Sequence, residues 1–389
     1  MDNLLKEYTD TNKNPNCFIN KDPDQIKLSF SRSPKVEITG DDSSDNDPYT
    51  VHFIDKKTDK TLCVNTINKN HWLSTNEKYY VDWIIKVFRR DSLVLEHELN
   101  IEGENVFIVI DSKSIGDTLA WVPQVEEFRK KHNCHIYLST FHNNLFKKSY
   151  PKLDFIKPND NRRDLDFKYE WWMGVYLENA SNFHRRDWRT LSLFDIGSDQ
   201  LGLESREIKC KIDIPQSINK KIIPNKKYVC ISTSSTAGLK HWQNETGWQE
   251  VVNHLNDLGY EVVLVQKEKL PWMDLKKLAG ITHPKTRNLQ EVIGLLLHCE
   301  FVIGLSSGIS WLAWALDKKV IMISGFTKPF HEFSNPHRII NEDVCHGCWH
   351  DTEYMFDRSN WKWCPRNKNF ECSKSITSDK VIKEISKLV

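Results

Sequence analysis

From Asn105 onward the chain alternates short, almost wholly apolar runs with longer stretches in which apolar and polar residues recur at helical spacing. Residues 105–110 (NVFIVI) predict a buried strand, 119–132 the helix after it, and HIYLST a second strand. The pattern restarts at 227–232 (KYVCIS), with helices at 248–258 and 290–299 and strands at 261–265 (EVVLV) and 301–304. Residues 304–314 (GLSSGISWLAW) then run from a Gly/Ser turn into a helix, and 319–323 (KVIMI) form a last strand. Strands that are apolar throughout are those buried on both faces, as in parallel sheets covered by helices. Two such βαβ halves predict two facing Rossmann-like domains, with the ligand in the cleft between them at the carboxyl ends of the strands.

The remaining segments divide by pattern. Residues 1–48 are dominated by Asn, Asp, Lys, Ser and Pro and are expected to form a flexible polar N-terminus. Over 49–104 the β-branched and aromatic runs TVHFID, KTLCVNTI, YYVDWIIKVFR and SLVLEHELNI, separated by polar turns, predict a small β-rich unit. The first Rossmann-like domain is expected over 105–222, with KYEWWMGVYL as a further strand and HRRDWRTLSLFDIGSDQLGL as a helix closing near Gly202. Pro215, Asn219-Lys220-Lys221 and Pro224 mark a linker, the second Rossmann-like domain spans 223–340, and 341–389 carry a cysteine cluster and a last helix.

Composition narrows the function. Fifty-four basic against 53 acidic residues leave a net charge of +1, so no global field favours nucleic acid or an anionic membrane. No run approaches 18 apolar residues, and the opening MDNLLKEYTDTNKN lacks the basic and apolar regions of a secretory signal. A cytoplasmic location is expected. Ten cysteines in a reducing compartment do not form a disulfide framework. Six of them (Cys17, Cys63, Cys134, Cys210, Cys230, Cys299) are scattered, whereas Cys345, Cys348, Cys364 and Cys372 make a C-x-x-C knuckle with two further thiols. Four thiolates at that spacing suit a closed tetrahedral metal site, zinc or iron, with zinc favoured by spacing alone.

Three loops carry the candidate chemistry. The turn Leu305-Ser306-Ser307-Gly308 offers free backbone N–H groups and hydroxyls at a helix N-terminus, where a diphosphate binds readily, although Ser is also an ordinary N-cap. Thr233 to Trp242 follows the 227–232 strand and ends in Lys240-His241-Trp242. Asp111 follows the 105–110 strand directly, and Gly116-Asp117 precedes the helix, where Asp117 also suits an N-cap. A carboxylate at a strand tip facing a cleft is placed to act as a general base.

Together and in this order, the segment from Asp111 to Pro123, the Thr233–Trp242 loop and the Gly304–Trp314 turn resemble the GT-B glycosyltransferases of the ADP-heptose heptosyltransferase superfamily. The lipopolysaccharide branch shows a G-x-[ST]-G-x-x-H turn, and here Ser310 stands where that His would be. The added cysteine finger makes the chain similar to the bacterial autotransporter heptosyltransferases, over roughly residues 50–389. That resemblance implies transfer of heptose from ADP-heptose to Ser hydroxyls of an autotransporter adhesin passenger domain, iron (alternatively zinc) on Cys345, Cys348, Cys364 and Cys372, and a homo-oligomer as large as a dodecamer. It implies Asp111 as the base, with Asp117 the competitor. Lys240, Thr233 and Ser234 are expected at the diphosphate or ribose, Ser306, Ser307, Gly308 and Ile309 at the pyrophosphate, and Gln266 and Glu268 near the adenosine. Two other readings stand beside it. One is a lipopolysaccharide core heptosyltransferase; the other is a non-catalytic metal-knuckle binding protein on a degenerate GT-B fold, with Trp349, Lys362, Trp363, Arg366 and Lys368 as an RNA-binding pattern.

Overall fold

The computed structural model describes residues 17–18, 24–41, 47–162, 164–178, 180–214, 218, 223, 226–286 and 288–389. The chain begins with β1 (Cys17–Phe18), β2 (Gln25–Ser31) and β3 (Ser33–Thr39). The flexible N-terminus expected up to residue 48 is therefore corrected over 25–39. Ile26, Leu28, Phe30, Val36 and Ile38 are buried while Lys27, Ser29, Lys35 and Glu37 are only partly so. This two-residue alternation is that of a strand with one face on a core, even though the segment is polar on average.

Next come β4 (Tyr49–Asp55), β5 (Lys60–Ile67), β6 (His71–Ser74), β7 (Trp83–Arg89) and β8 (Ser92–Glu98). An antiparallel sheet is formed in the order β1-β8-β7-β4-β5, while β6 leaves it to pair with β3. The β-rich region thus extends into the next sheet instead of standing as a separate unit.

That second sheet is built on β9 (Asn105–Ile110), followed by α1 (Ile115–His132), β10 (His135–Ser139), β11 (Leu153–Ile156), β12 (Tyr169–Met173), α2 (Ala180–Phe183) and α3 (Leu193–Gln200). Its order is β11-β10-β9-β12-β2-β3-β6, parallel from β11 through β2. The helix expected at 119–132 begins four residues earlier, because Ser114 caps it by accepting from the Asp117 backbone N–H at 3.5 Å. Asp117 thereby falls inside the first turn. The long helix expected near Gly202 is shortened to α3, which opens on a capping box at Ser192 and Asp195.

The C-terminal lobe holds β13 (Tyr228–Ile231), α4 (Gly247–Asp257), β14 (Glu261–Leu264), β15 (Ile281–Thr282), α5 (Leu289–His298), β16 (Val302–Leu305), α6 (Gly308–Ala315), β17 (Val320–Ile323) and β18 (Arg338–Ile339). They make a parallel sheet, β15-β14-β13-β16-β17-β18. Two short helices, α7 (Glu371–Lys374) and α8 (Ser378–Ile385), end the chain, and α8 packs on α4 and β17. Burial on both faces explains the unbroken apolar strands. Val229 and Ile231 join Val251, Leu255, Val381 and Ile385, whereas Tyr228 and Cys230 join Leu295, Leu296 and the large core that runs into the N-terminal lobe. The expected linker at Pro215, Asn219-Lys220-Lys221 and Pro224 lies outside the described residues.

The lobes meet where α1 packs against α6. At Gly308 a Cβ would collide with the Ile115 side chain, so only glycine admits this approach. Among the described residues no helix is long and apolar enough to cross a membrane.

Candidate active site between the two lobes

A cleft of about 570 Å³ opens where the N-terminal turns of α1 and α6 face each other. Both turns carry unpaired backbone N–H groups, and both helix dipoles point their positive ends at this space. Lys113, Ser114, Ile115, Gly116 and Asp117 line one side. Asp117 Oδ2 accepts a hydrogen bond from Ser112 Oγ at 2.7 Å. Burial pushes the Asp117 carboxyl above the ordinary value of 3.8, against the opposing pull of the Ser112 hydrogen bond and the Lys240 charge. A desolvated carboxylate of raised pKa is a better proton acceptor than a solvated one.

Asp111 does not line this cleft. Its side chain is exposed, its backbone N–H donates to Met173 O at 2.8 Å, and its charge falls on Tyr176. Asp111 stays exposed at the strand tip, while the first turn of α1 puts Asp117 in the cleft lining. Of the two candidates, the geometry gathers Asp117 with the other polar groups.

On the facing lobe, Lys240, Ser234, Ser306, Ser307, Gly308 and Ile309 line the cleft, with Gln266 and Glu268. Burial lowers the Lys240 pKa, while Asp117 and Glu332 pull it back up. Among the described residues no ion pair joins Lys240 to Asp117, although each charge acts on the other's titration. Ser307 caps α6 by position only: its hydroxyl is buried and, among the described residues, has no hydrogen-bond partner. A buried orphan hydroxyl beside free helix N–H groups is suited to an anion.

Several predicted ligand residues instead hold the loops in place. Gln266 Oε1 accepts from Thr233 N (3.0 Å), Thr233 Oγ1 (2.9 Å) and Ser234 N (3.0 Å), and Ser234 Oγ donates to Glu268 at 2.8 Å. Thr233 is buried and outside the cleft, which corrects its expected ligand contact. Ser306 Oγ is committed to buried Glu332, which also receives Thr327 Oγ1 (2.9 Å) and pairs with Arg338. Burial raises the Glu332 pKa, but Arg338, His331 and the Ser306 hydrogen bond outweigh it and hold the carboxyl near 2. Ser310, at the position of the lipopolysaccharide enzymes' histidine, is fully buried and donates to Leu305 O at 2.6 Å.

The lining also includes His331, Trp272 and Trp361, which none of the three candidate loops carries. Burial keeps His331 neutral, with its pKa down at about 3. None of the three sits in a motif, and each comes from a loop whose fold depends on distant contacts. A second cavity, about 760 Å³, adjoins the cleft through Gln266, Lys267 and Ile309 and includes His283, Leu289 and Val292. It is the more apolar of the two in lining, as an aromatic base requires.

The cysteine finger is gathered but not closed. Cys345, Cys348, Cys364 and Cys372 are mutual neighbours: burial and then the other thiols push Cys348 up to about 11 and Cys372 to about 12. Among the described residues, however, no three His, Cys, Asp or Glu side chains converge at metal-ligand distance. The four expected ligands are thus neighbours in the fold, short of a closed ligand set among the described residues. The fit to iron or zinc is one of donor chemistry and neighbourhood.

Comparison with known proteins agrees with this geometry. The model of glycosyltransferase family 9 (heptosyltransferase) matches residues 188–343. The autotransporter heptosyltransferase BAHTCr of Citrobacter rodentium is 34% identical over 386 residues, covering 94% of this chain and 90% of that protein. The crystal structure of the dodecameric, iron-containing heptosyltransferase TibC with ADP-D-beta-D-heptose superposes with a TM-score of 0.83 at 30% identity, over 97% of this chain and 98% of that one. The lipopolysaccharide heptosyltransferase II of E. coli shares the fold alone, at 12% identity, 73% of this chain, 98% of that one and a TM-score of 0.52. A Burkholderia thailandensis relative, 26% identical over 92% of this chain and 85% of its own, is described as an inactive autotransporter heptosyltransferase, so overall likeness does not by itself decide activity. With two facing Rossmann-like lobes and 34% identity to a relative over 94% of its own length, the chain belongs to the autotransporter heptosyltransferase family, within the GT-B glycosyltransferases.

Proposed function

We propose that this chain is a protein O-heptosyltransferase that moves heptose from ADP-heptose to Ser hydroxyls of an autotransporter passenger domain. The observation that carries the reading is one cleft lined together by Asp117, Lys240 and the N-terminal turn of α6. The acceptor oxygen forms the new bond to the anomeric carbon as its proton passes to Asp117. The bond from that carbon to the diphosphate oxygen breaks, and the electron pair leaves with ADP. Charge growing on the diphosphate is met by Lys240 and by backbone N–H groups at Ser307, Gly308 and Ile309, an arrangement worth most where water is excluded. The adenosine occupies the adjoining cavity past Gln266 and Lys267.

The four finger cysteines would hold iron, or zinc, as a structural centre that fixes the C-terminal lobe. Cys345, Cys348, Cys364 and Cys372 are free thiols, as metal ligands must be. A self-assembled ring of many copies is the expected oligomer, on the likeness to a dodecameric neighbour. The test is an intact-mass spectrum of a passenger fragment incubated with the protein and ADP-heptose. Mass steps of one heptose unit are expected. ADP release only with a lipopolysaccharide acceptor would move the chain to the lipid-core reaction, and no turnover with either would leave a binding protein.

A further inference from the structure

The cysteine finger lies beyond the residues matched by the family model, which end at 343, yet it reaches into the cleft. Three hydrogen bonds tie it to the N-terminal lobe. Arg358 Nη2 donates to Val175 O (3.1 Å), Arg189 Nη1 donates to Thr352 O (2.7 Å), and His350 Nδ1 bonds Arg189 O (2.7 Å). Between these anchors and the C-terminal lobe the finger lays Trp361 directly on Gly238, two residues before Lys240. A Cβ on Gly238 would stand 2.6 Å from Trp361 O and 2.7 Å from its Nε1, so glycine is what lets the indole settle there.

Trp361 is held, not loose. Its Nε1 donates to Asp274 Oδ1 at 3.4 Å, and the same Asp274 oxygen meets His241 Nδ1 at 3.0 Å. Buried His241 in turn accepts from Ser235 N at 3.1 Å, which links the finger to the loop below Lys240. Trp272 stands perpendicular to Trp361 with ring centroids 5.4 Å apart. Both indoles are half-buried and both line the cleft, so ring surface stays open to it. Neither lines the adjoining cavity. They therefore belong to the cleft shared with Asp117, Lys240 and the α6 turn, and not to the cavity assigned to the adenosine.

Resting on the function proposed above, we infer that the finger is a wall of the transfer site and that Trp361, backed by Trp272, is the aromatic face against which the donor's sugar packs. An indole offers a flat, electron-rich face to the polarised C–H bonds of a pyranose, together with a large apolar area that no hydroxyl needs to share. Trp361 is then a specificity-determining residue. It separates ADP-heptose from ADP, which lacks the sugar.

The test is calorimetric titration of the full-length assembly with ADP and with ADP-heptose, without acceptor, for wild type, Trp361→Ala, Trp361→Leu and Trp361→Phe. Wild type must bind both ligands and transfer heptose; if it does neither, the proposed function itself fails. Given that, the Ala and Leu variants should bind ADP-heptose about tenfold more weakly and ADP as wild type does, with Phe restoring most of the difference. The Leu variant keeps apolar bulk on Gly238 and serves if the Ala variant does not fold. Equal weakening toward both ligands would reduce Trp361 to a structural prop. Unchanged binding of both, with or without a raised KM for the acceptor, would also overturn the inference.

Discussion

At the scale of single residues the decisive feature is which carboxylate the fold turns inward. Asp111 and Asp117 are six positions apart on the same loop and look alike as candidates in the sequence. What separates them is the cap at Ser114, which starts α1 early and sets Asp117 in its first turn facing the cleft. Asp117→Asn should lower the transfer rate by about 10²–10⁴-fold while ADP-heptose still binds, as expected of a lost general base. Asp111→Ala should keep most of the activity. Steady-state kinetics on the two variants settle the order, and the reverse result would return the base to the strand tip. A pH profile adds an independent check. The carboxyl must be ionised to accept a proton and its pKa is raised by burial, so the acid limb of kcat should lie above the ordinary 3.8 and vanish in Asp117→Asn. Lys240 and Arg358 both oppose that rise, so neutralising Lys240 should move the limb further up.

At the scale of elements, the strands and helices that position the site were legible because they repeat a simple rule: apolar runs for strands covered on both faces, mixed runs for helices. β9, β13, β14, β16 and β17 are all foreshadowed in this way. β2 and β3 were not, since their alternation is set in a segment whose average polarity suggests a tail. The turn at Ser306 was equally visible, yet the use of its first hydroxyl was not, because Glu332 and Arg338 come from a loop 26 or more residues away. That buried trio makes a stability prediction. Against the upward push of burial, Arg338, His331 and the Ser306 hydrogen bond hold the Glu332 carboxyl down at about 2 against the ordinary 4.5, so its contribution is fully present above about 4.5 and is lost as pH falls from there toward 2. Glu332→Gln should cost about 3–5 kcal/mol at neutral pH by stranding Arg338, and should flatten the acid limb of stability between those values. Denaturant melts across that pH range read both effects. An unchanged acid limb would mean that other carboxylates dominate it.

For the whole molecule, the finger adds a second join between the lobes, beside the packing of α1 on α6. It packs Cys348, Trp349 and Trp363 against Phe326, bonds the N-terminal lobe through Thr352 and Arg358, and reaches the cleft with Trp361. The sequence showed the four thiols through their spacing, but spacing cannot show that the loop between Cys348 and Cys364 crosses from one lobe to the other. A metal on those thiols would tighten a cluster that is already gathered, and its binding energy would be spent on the fold of this bridge. Cys345→Ser should therefore lower bound metal, measured by elemental analysis, and shift the protein toward small or aggregated species in light scattering. Material that stays soluble should still bind ADP, because the adjoining cavity and the α6 turn are built from the C-terminal lobe, outside the finger. Its preference for ADP-heptose over ADP should fall, because the Trp361 wall is no longer pinned. If this variant keeps its metal content, its assembly and its ligand preference, then Cys345 is not a ligand and the bridge is held by its packing and hydrogen bonds alone.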